Sequence, residues 1–287
     1  MLQMTDWVAL WRMLVEVQSR NRRNQHTTER TGDLWCERAR EFDGFIKRRW
    51  AKPDSSRQFV LSHLRPEDTV LDIGAGTGAW AVLIAPEVRR VTAVEPSPAM
   101  VDVMQANLAA AGIRNVDIVQ EHWPQAQVEL HDVALCSHAV YGSTDLPHFI
   151  RHMVACTRRT CYLVLRAPEV DCMMAQAARH IWGQPHDSPN FTIAYNVLMQ
   201  MGIYANVLLE EGSSWRPFTF PSLEDALADM KRRFDVTGTA QHDDYLLALL
   251  RSQAINGDGQ ITWPNQTRSA LVYWHIGRDT TFDRGDA

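Results

Sequence analysis

Residues 70–78 constrain the fold more strongly than any other part of the sequence. They read Val-Leu-Asp-Ile-Gly-Ala-Gly-Thr-Gly, an apolar strand that runs into a glycine turn and then into a helical pattern. Glycine lets a ligand approach the backbone where a side chain would collide, and the helix N-terminus offers free N–H groups. Glu95 ends the next apolar strand, where its carboxylate could accept both hydroxyls of a ribose. The combination predicts a nucleoside-containing cofactor at the switch point of an open α/β sheet.

Short apolar runs alternate with helical segments from about residue 57 onward. Because the strands are apolar throughout and are joined by helix-length connections, the pattern indicates a parallel, doubly wound α/β sheet. The predicted strands are residues 69–73, 91–95, 116–119, 133–136, 162–165, 203–209 and 270–276, and the later predicted helices are residues 149–156, 223–234 and 245–252.

The first 56 residues predict a helical N-terminal cap. Trp7, Trp11 and Leu14 fall on one face of an amphipathic helix. Residues 18–33 contain no strongly apolar side chain and predict a linker, after which Leu34 begins a second helical pattern. The remaining residues, 57–287, are predicted to form the cofactor-binding α/β domain, with helical insertions at about 167–200 and 212–267.

The glycine turn alone leaves two kinds of cofactor open. Gly74, Gly76 and Ala79 also satisfy the loose fingerprint of dinucleotide-binding sites. Asp72, however, places a carboxylate at the end of an otherwise apolar strand, which suits a cationic ligand group such as an ammonium better than a pyrophosphate. The chain also lacks a recognisable Tyr-x-x-x-Lys pair and has only three lysines.

With these motifs, the sequence resembles the class I S-adenosylmethionine-dependent methyltransferases. VLDIGAGTG at 70–78 is similar to their first motif, VEPSPAM at 94–100 to their second, and residues 131–137 lie where their fourth strand begins. The resemblance spans residues 57–166, and the last two predicted strands would complete the family's seven-stranded, Rossmann-like sheet. It implies a methyl transfer from S-adenosylmethionine that leaves S-adenosylhomocysteine as product.

The resemblance also implies roles for individual residues. Gly74, Gly76 and Gly78 would form the cofactor turn, with Asp72 near the methionine portion and Glu95 on the ribose hydroxyls. The remaining implied cofactor contacts are Pro96 and Met100 beside the adenine, Glu121 or His122 at the adenine amino group, and Ser137 bordering the sulfonium.

His138, Tyr141 and His186 are the candidate catalytic residues. A general base is needed only if the acceptor atom keeps its proton at neutral pH, and each histidine has the alternative interpretation of an ordinary packed or surface residue. Residues 188–196 could contact a polar substrate or simply cap a helix through Asn190. No metal site is predicted, because His131 and His138 flank a strand at opposite ends.

The insertions and the cap predict an enclosed pocket and therefore a small-molecule acceptor. Residues 137–141 lack the Asn/Asp-Pro-Pro-aromatic run used by family members that methylate amino groups of bases, and the net charge of −5 disfavours a polyanionic partner. A nucleic-acid substrate is thus disfavoured, and a homodimer through the N-terminal helices is a further expectation.

Cysteine usage and hydropathy predict a cytoplasmic protein without a membrane span. No apolar run approaches the roughly 18 residues that a membrane helix needs. No cleavage-site pattern follows the first helix, and the five cysteines show no CxxC spacing.

Two other functions stay open from the sequence alone. One is a non-catalytic methyltransferase-like protein with a binding or regulatory role, and the other is an NAD(P)-dependent oxidoreductase. Residues 1–52 contain 11 Lys and Arg against 7 Asp and Glu, and this local positive charge would suit a partner surface as well as a lid.

Overall fold

The computed structural model describes residues 5–25, 33, 35–211, 217–257, 260–264 and 266–281, and the side chains of these residues except 22–25 and 255–257. The strands are β1 (Thr69–Ile73), β2 (Arg90–Val94), β3 (Val116–Val119), β4 (His131–Ser137), β5 (Thr157–Pro168), β6 (Asn206–Leu209), β7 (Phe218–Phe220), β8 (Ile255–Gly257), β9 (Gln260–Trp263) and β10 (Thr267–His275). The helices are α1 (Trp7–Gln25), α2 (Ala39–Trp50), α3 (Ser55–Ser62), α4 (Ala79–Ile84), α5 (Pro98–Ala110), α6 (Leu146–Ala155), α7 (Met173–Trp182), α8 (Phe191–Gln200), α9 (Leu223–Arg233) and α10 (Asp243–Gln253).

Seven of these strands form one sheet in the order β3-β2-β1-β4-β5-β10-β6. The first five run parallel, whereas β10 lies antiparallel to both β5 and β6, so the sheet is mixed. The predicted seven-stranded α/β sheet is therefore confirmed, with one strand reversed. In the register, Ile73 lies beside Val94 and Cys136, and Ser137 lies beside Val164. The carboxyl ends of β1, β2, β4 and β5 consequently meet at one edge, where open α/β sheets bind their ligands.

Helix α1 packs into the main core of the molecule. Trp11 and Leu14 are fully buried in the same cluster as Cys136 and Leu163 of the sheet. The indole of Trp11 also donates a hydrogen bond to the carbonyl of Ser143, at 2.8 Å. The sequence boundary at residue 56 falls inside α3, and the apolar face of α1 is covered by its own chain.

The predicted linker at 18–33 is wrong for its first part, because α1 continues to Gln25. A helix whose first turns are anchored by buried residues can continue through polar residues, because adding one residue to an existing helix is much easier than starting a helix. Arg20 pairs with Asp235 at 3.4 Å, and the Asn21 amide donates to the carbonyl of Arg233 at 3.0 Å. Residues 26–32, and Leu34 of the second helical pattern, lie outside the described residues.

The insertion predicted to be mostly helical also contains a small antiparallel sheet, in the order β7-β9-β8. Trp263 of this sheet packs in one cluster with Met173 of α7, Met230 of α9 and Leu250 of α10. The strand β8 of this sheet ends at Gly257, within the insertion predicted to be helical. Strands of three or four residues are too short to show a clear hydrophobic period, which explains why the pattern missed them.

Candidate functional site

A cavity of about 550 Å³ lies at the carboxyl ends of β1, β2, β4 and β5. Its floor is the turn after β1, and α2 forms a roof with Phe42, Phe45, Ile46, Arg49 and Trp50. The volume falls within the range of about 300–1,000 Å³ that is usual for small-molecule sites. The cavity therefore occupies the position predicted for a nucleoside-containing ligand.

The three glycines of the turn all have a left-handed backbone, with φ of 70° at Gly74, 58° at Gly76 and 79° at Gly78. A Cβ at Gly74 would lie 2.2 Å from the Cβ of Ala139, and a Cβ at Gly78 would lie 2.5 Å from the Cγ of Met104. At Gly76 the nearest atom would be the Cε1 of Phe42, at 3.9 Å. Gly74 and Gly78 thus allow close packing, whereas Gly76 leaves open space for a ligand against the backbone.

Glu95 is held at the cavity wall by two backbone groups. One carboxylate oxygen accepts from the N–H of Gly76 at 2.8 Å, and the other accepts from the N–H of Ser97 at 2.9 Å. Burial raises the pKa of Glu95 despite these hydrogen bonds, and the charge of Asp33 adds to the increase. The carboxylate is therefore fixed in orientation while its remaining lone pairs can accept hydrogen bonds from a ligand.

Asp72 is a buried carboxyl group whose Oδ2 has no hydrogen-bond partner among the described residues. Burial raises its pKa to about 7, and the nearby charge of Glu95 contributes. A buried acidic group of this kind is stabilised by a cation that binds beside it. The unsatisfied oxygen, the open backbone at Gly76 and the oriented Glu95 together fit a ligand that carries both an ammonium group and a ribose.

Asp72→Asn is expected to stabilise the ligand-free protein at alkaline pH. The carboxyl titrates near 3.8 when unfolded and near 7 when folded, so folding takes up a proton between these values. The wild type therefore loses stability as pH rises from about 4 to about 7, and the variant does not. In urea denaturation at pH 8, the free energy of unfolding of Asp72→Asn should exceed that of the wild type by about 1–3 kcal/mol. The variant no longer buries a charged carboxylate, but it still pays for burying an amide. The exposed Asp102→Asn is the control, and equal stability of wild type and Asp72→Asn at pH 8 would contradict the account.

Asp33 joins the N-terminal segment to the first turn of α5, and sequence reasoning missed it. Its carboxylate accepts from the Ser97 hydroxyl at 2.6 Å and from the N–H of Ala99 at 3.1 Å. Burial alone would raise its pKa, but the hydrogen bonds from Ser97, Trp35 and Ala99 outweigh it and lower the pKa. Asp33 thus adds a second acceptor to the helix end that Ser97 already caps, beside Glu95.

Asp33→Ala is expected to destabilise the protein by about 0.5–2 kcal/mol, the usual cost of losing a capping side chain. The loss arises because the N–H of Ala99 and the Ser97 hydroxyl lose their common acceptor. Chemical denaturation at neutral pH measures it. Asp102→Ala, at an exposed position of α5, should change stability by less than about 0.5 kcal/mol. An Asp33 variant as stable as this control would show that the contact has no energetic value.

A second connection fixes α2 over the turn. The amide of Asn107, on α5, donates to Asp43 of α2 and to the carbonyl of Thr77 in the turn, both at 2.9 Å. Lys47 of α2 pairs with Asp43 at 2.7 Å and donates to the side-chain oxygen Oδ1 of Asn107 at 2.8 Å. The roof of the cavity is therefore tied to the same helix that follows Glu95.

The opposite end of the cavity contains Ser137, His138 and Tyr141 together with Arg49 and Arg166. The Tyr141 hydroxyl accepts from the backbone N–H of Arg166 at 2.6 Å and lies 3.3 Å from Nδ1 of His138. Burial, with the charges of Arg49 and Arg166, holds the pKa of His138 well below its ordinary value. Burial also raises the pKa of Tyr141. Both groups are thus neutral near pH 7.

The structure brings most of the predicted site residues to this cavity. Pro96 and Met100 line it, as do Asp72, Gly74, Gly76, Glu95, Ser137, His138 and Tyr141. Glu121 and His122 are exposed after β3 and are not among its lining residues. Gly78 contacts Met104 rather than the open space.

His186 lies elsewhere, edge-on to the ring of Trp7 in α1 at 6.1 Å and outside the cavity lining. The nearby Asn190 is fully buried and accepts from the N–H groups of Thr192 and Ile193, so it caps α8. Of the two interpretations of this segment, the structure supports the helix cap.

Arg49 and Arg166 are cavity residues that the sequence did not single out for a role. β5 extends to Pro168, beyond the predicted strand end at residue 165, and carries Arg166 into the cavity wall. Within the described residues, no group of three or more potential ligands is arranged to hold a metal ion. The described helices likewise include none that is long and apolar enough to cross a membrane.

Residues 34–196 match a family model described as a methyltransferase domain. An uncharacterized protein of Haemophilus influenzae is 26% identical over 236 residues, which cover 79% of this chain and 84% of that protein. A protein-L-isoaspartate O-methyltransferase of Methanoregula boonei is 42% identical over only 60 residues, or 21% of this chain and 28% of its own length.

Two solved structures are similar at low sequence identity. A SAM-dependent methyltransferase from Thiobacillus denitrificans, in complex with S-adenosyl-L-homocysteine, is 15% identical, with a TM-score of 0.48 and coverage of 77% of this chain and 90% of that one. A precorrin-6y C5,15-methyltransferase from Geobacter metallireducens is also 15% identical, with a TM-score of 0.41 and coverage of 76% and 86%. The match over residues 34–196 carries more weight, because it spans the glycine turn, Glu95 and Arg166 and more than half of the chain.

Proposed function

The chain belongs to the methyltransferase domain family as an S-adenosylmethionine-dependent enzyme, and on that premise we propose that its acceptor is a small molecule enclosed beneath α2. The family match favours methyl transfer over an NAD(P)-dependent oxidoreductase, and the experiment at the end of this subsection tests the non-catalytic alternative. What carries the proposal is the roofed cavity, in which residues of α2 face the glycine turn across a space of about 550 Å³.

The residues at the acidic end fit the methyl donor. Glu95 would hold the ribose hydroxyls, Asp72 would lie by the ammonium group, and Gly76 leaves room for close approach to the backbone. S-adenosylmethionine supplies a methyl group already activated by its sulfonium, so the protein's main tasks are alignment of the acceptor and exclusion of water.

The roof formed by α2 favours a small acceptor over a protein or nucleic acid. Phe42, Phe45 and Trp50 cover the cavity from α2, and that helix is tied down by Asp43 and Asn107. A macromolecule would have to bring its reactive atom to Ser137 past these side chains, whereas a free metabolite fits beneath them.

Tyr141 and His138 are the pair that would take a proton from an acceptor that carries one. The Tyr141 hydroxyl can pass its own proton to Nδ1 of His138, 3.3 Å away, while it receives one from the acceptor. His138 is neutral at physiological pH, so it can accept a proton, but its depressed pKa makes it a weak base. His186, Glu121 and His122 stay predictions from the sequence and have no part in this scheme.

A cytoplasmic location is proposed because the five cysteines show no CxxC spacing, and four of these five unpaired cysteines are buried. The homodimer through the N-terminal helices stays a prediction. Because Trp11 and Leu14 of α1 are buried within their own chain, such a dimer would have to use other residues of these helices. Sedimentation of the purified protein would determine the oligomeric state.

The test is transfer of a labelled methyl group from S-adenosylmethionine into fractionated cell extract. The proposal predicts label in the small-molecule fraction with the wild type and none with Gly74→Ala. Label in RNA or in protein would contradict the small-molecule proposal. No label in any fraction would favour the non-catalytic alternative.

A further inference from the structure

The cavity has opposite charge at its two ends. Asp72 and Glu95 lie at the cofactor end, whereas Arg49 and Arg166 lie at the end beyond His138. A third arginine, Arg57, also borders the cavity, but it is paired with Asp54 at 2.7 Å. The end that remains for an acceptor is thus lined by two guanidinium groups.

Arg49 is partly compensated by its own surroundings. Its Nη2 donates to the Ser269 hydroxyl at 3.0 Å, and the buried carboxylate of Glu210 also lines the cavity. Burial lowers the pKa of Arg49, and the charge of Glu210 is the largest effect that opposes it. The negative charge of Glu210 therefore balances the positive charge of Arg49.

Arg166 has no comparable compensation in the described part of the chain. Its guanidinium lies 4.4 Å from the centre of the Tyr141 ring and interacts with that neutral side chain, and its Nη2 donates to the carbonyl of Pro189 at 3.3 Å. Its buried Nε has no hydrogen-bond partner, and no carboxylate among these residues forms an ion pair with it. Buried polar groups in proteins are almost always hydrogen-bonded, so an unsatisfied guanidinium facing a ligand cavity indicates a missing partner.

A smaller cavity of about 110 Å³ on the other side of Arg166 does not supply this partner. It contains Asp187 and Arg233. Asp229 is shared between Arg232 and Arg233, and the charge of Asp187 is the main effect that raises the pKa of Arg233 against its burial. Asp187 thus compensates Arg233 and forms no ion pair with Arg166 among the described residues. Asp187 lines this smaller cavity but not the larger one that also holds the cofactor end. The excess positive charge consequently faces the acceptor end of the larger cavity.

We propose that the acceptor is a carboxylate-bearing small molecule with an apolar or aromatic body, and that Arg166, assisted by Arg49, binds its carboxylate. This inference rests on the proposed function and names its substrate class. The planar guanidinium fork matches a carboxylate through two parallel hydrogen bonds. Phe45 and Trp50 of the roof provide an apolar surface for the rest of the molecule. The bound carboxylate would orient the acceptor with its reactive atom towards Ser137 and Tyr141.

The test compares carboxylic acids with their uncharged amides. Benzoate, phenylacetate and 3-phenylpropanoate, and the three corresponding amides, are titrated by calorimetry into protein saturated with S-adenosylhomocysteine. At least one acid should bind about tenfold or more tightly than its amide, a difference of about 1.4 kcal/mol. The preference should fall below about twofold in Arg166→Gln and be partly retained in Arg166→Lys, which keeps the charge without the fork.

Arg158→Gln is the matched control, because Arg158 lies at the opposite, exposed end of β5 and pairs with Asp132 at 3.3 Å. It should keep the full preference. Acids and amides that bind equally, no binding by any of the acids, or a preference that survives Arg166→Gln would each overturn the proposal. The affinity for S-adenosylhomocysteine is measured first with every variant. If the wild type does not bind S-adenosylhomocysteine, the proposed function fails, whatever the carboxylic acids do. If Arg166→Gln does not fold, Arg166→Lys takes its place in the comparison.

Discussion

Gly74→Ala is expected to abolish cofactor binding and to destabilise the protein by about 2–5 kcal/mol. The added methyl would lie 2.2 Å from the Cβ of Ala139, which no side-chain rotation can relieve. The left-handed backbone at φ 70° adds a cost of about 1–2 kcal/mol, and overpacking adds about 1–3 kcal/mol. Relief of the clash would separate the turn from the residues after β4, which are two walls of the same cavity. Chemical denaturation and calorimetric titration with S-adenosylhomocysteine measure the two effects.

Gly112→Ala is the control that separates backbone strain from the clash. Gly112 has nearly the same backbone, with φ 69°, but a Cβ there would meet nothing within 4 Å. This variant should lose only about 1–2 kcal/mol and bind the cofactor normally. If the two alanine variants lost the same stability and both still bound, the close approach of Gly74 to Ala139 would have no functional importance.

Glu95→Gln is expected to weaken binding of S-adenosylmethionine by roughly 10- to 100-fold. Hydrogen bonds to a charged group contribute about 1.5–3 kcal/mol, and the amide cannot accept with both of its terminal atoms. One of the N–H groups of Gly76 and Ser97 would then face an amide nitrogen, so the side chain would lose its fixed orientation. Titration of the folded variant at pH 7.5 gives the change in affinity.

Glu87→Gln provides the comparison for Glu95, because Glu87 is an exposed carboxylate before β2 and does not line the cavity. Its affinity for the cofactor should be unchanged. An affinity loss of less than about twofold in Glu95→Gln would contradict the placement of the ribose on this carboxylate.

The cofactor end of the site could be predicted from sequence because its requirements are local. A left-handed turn needs glycines at particular positions, and the strand that ends just before Glu95 lies beside the strand that carries Asp72 in any sheet of this order. The positions of Gly74, Gly76 and Glu95 therefore follow from local turn geometry and from the pairing of adjacent strands, and a short sequence motif is enough to predict both.

The acceptor end depends on contacts between distant segments, and sequence patterns do not record those. Arg166 follows a short apolar run and looks like a solvated flank, but Tyr141 accepts from its backbone N–H, packs against its guanidinium and lines the same cavity. Asp33 lies in a polar stretch without any period, and only its contact with α5 gives it a role. The small sheet of β7, β8 and β9 was missed for a related reason, since strands this short are stabilised by packing more than by their own pattern.

His186 is a candidate chosen by residue type alone, and it lies outside the residues that line the larger cavity. Its ring packs against Trp7, on a helix at the other end of the sequence. No local feature of residues 186–190 could distinguish this packing from a position in the lid, whereas the helix cap by Asn190 was already one of the two interpretations considered.

The most direct test of the account is calorimetric titration of the wild-type protein with S-adenosylmethionine and, in parallel, with NADH. The account predicts saturable binding of S-adenosylmethionine at one site per chain and no heat of binding for NADH, because the buried carboxyl group of Asp72 ends the strand before the glycine turn, where a dinucleotide would bring its pyrophosphate. Binding of NADH, or the absence of binding by S-adenosylmethionine, would contradict it.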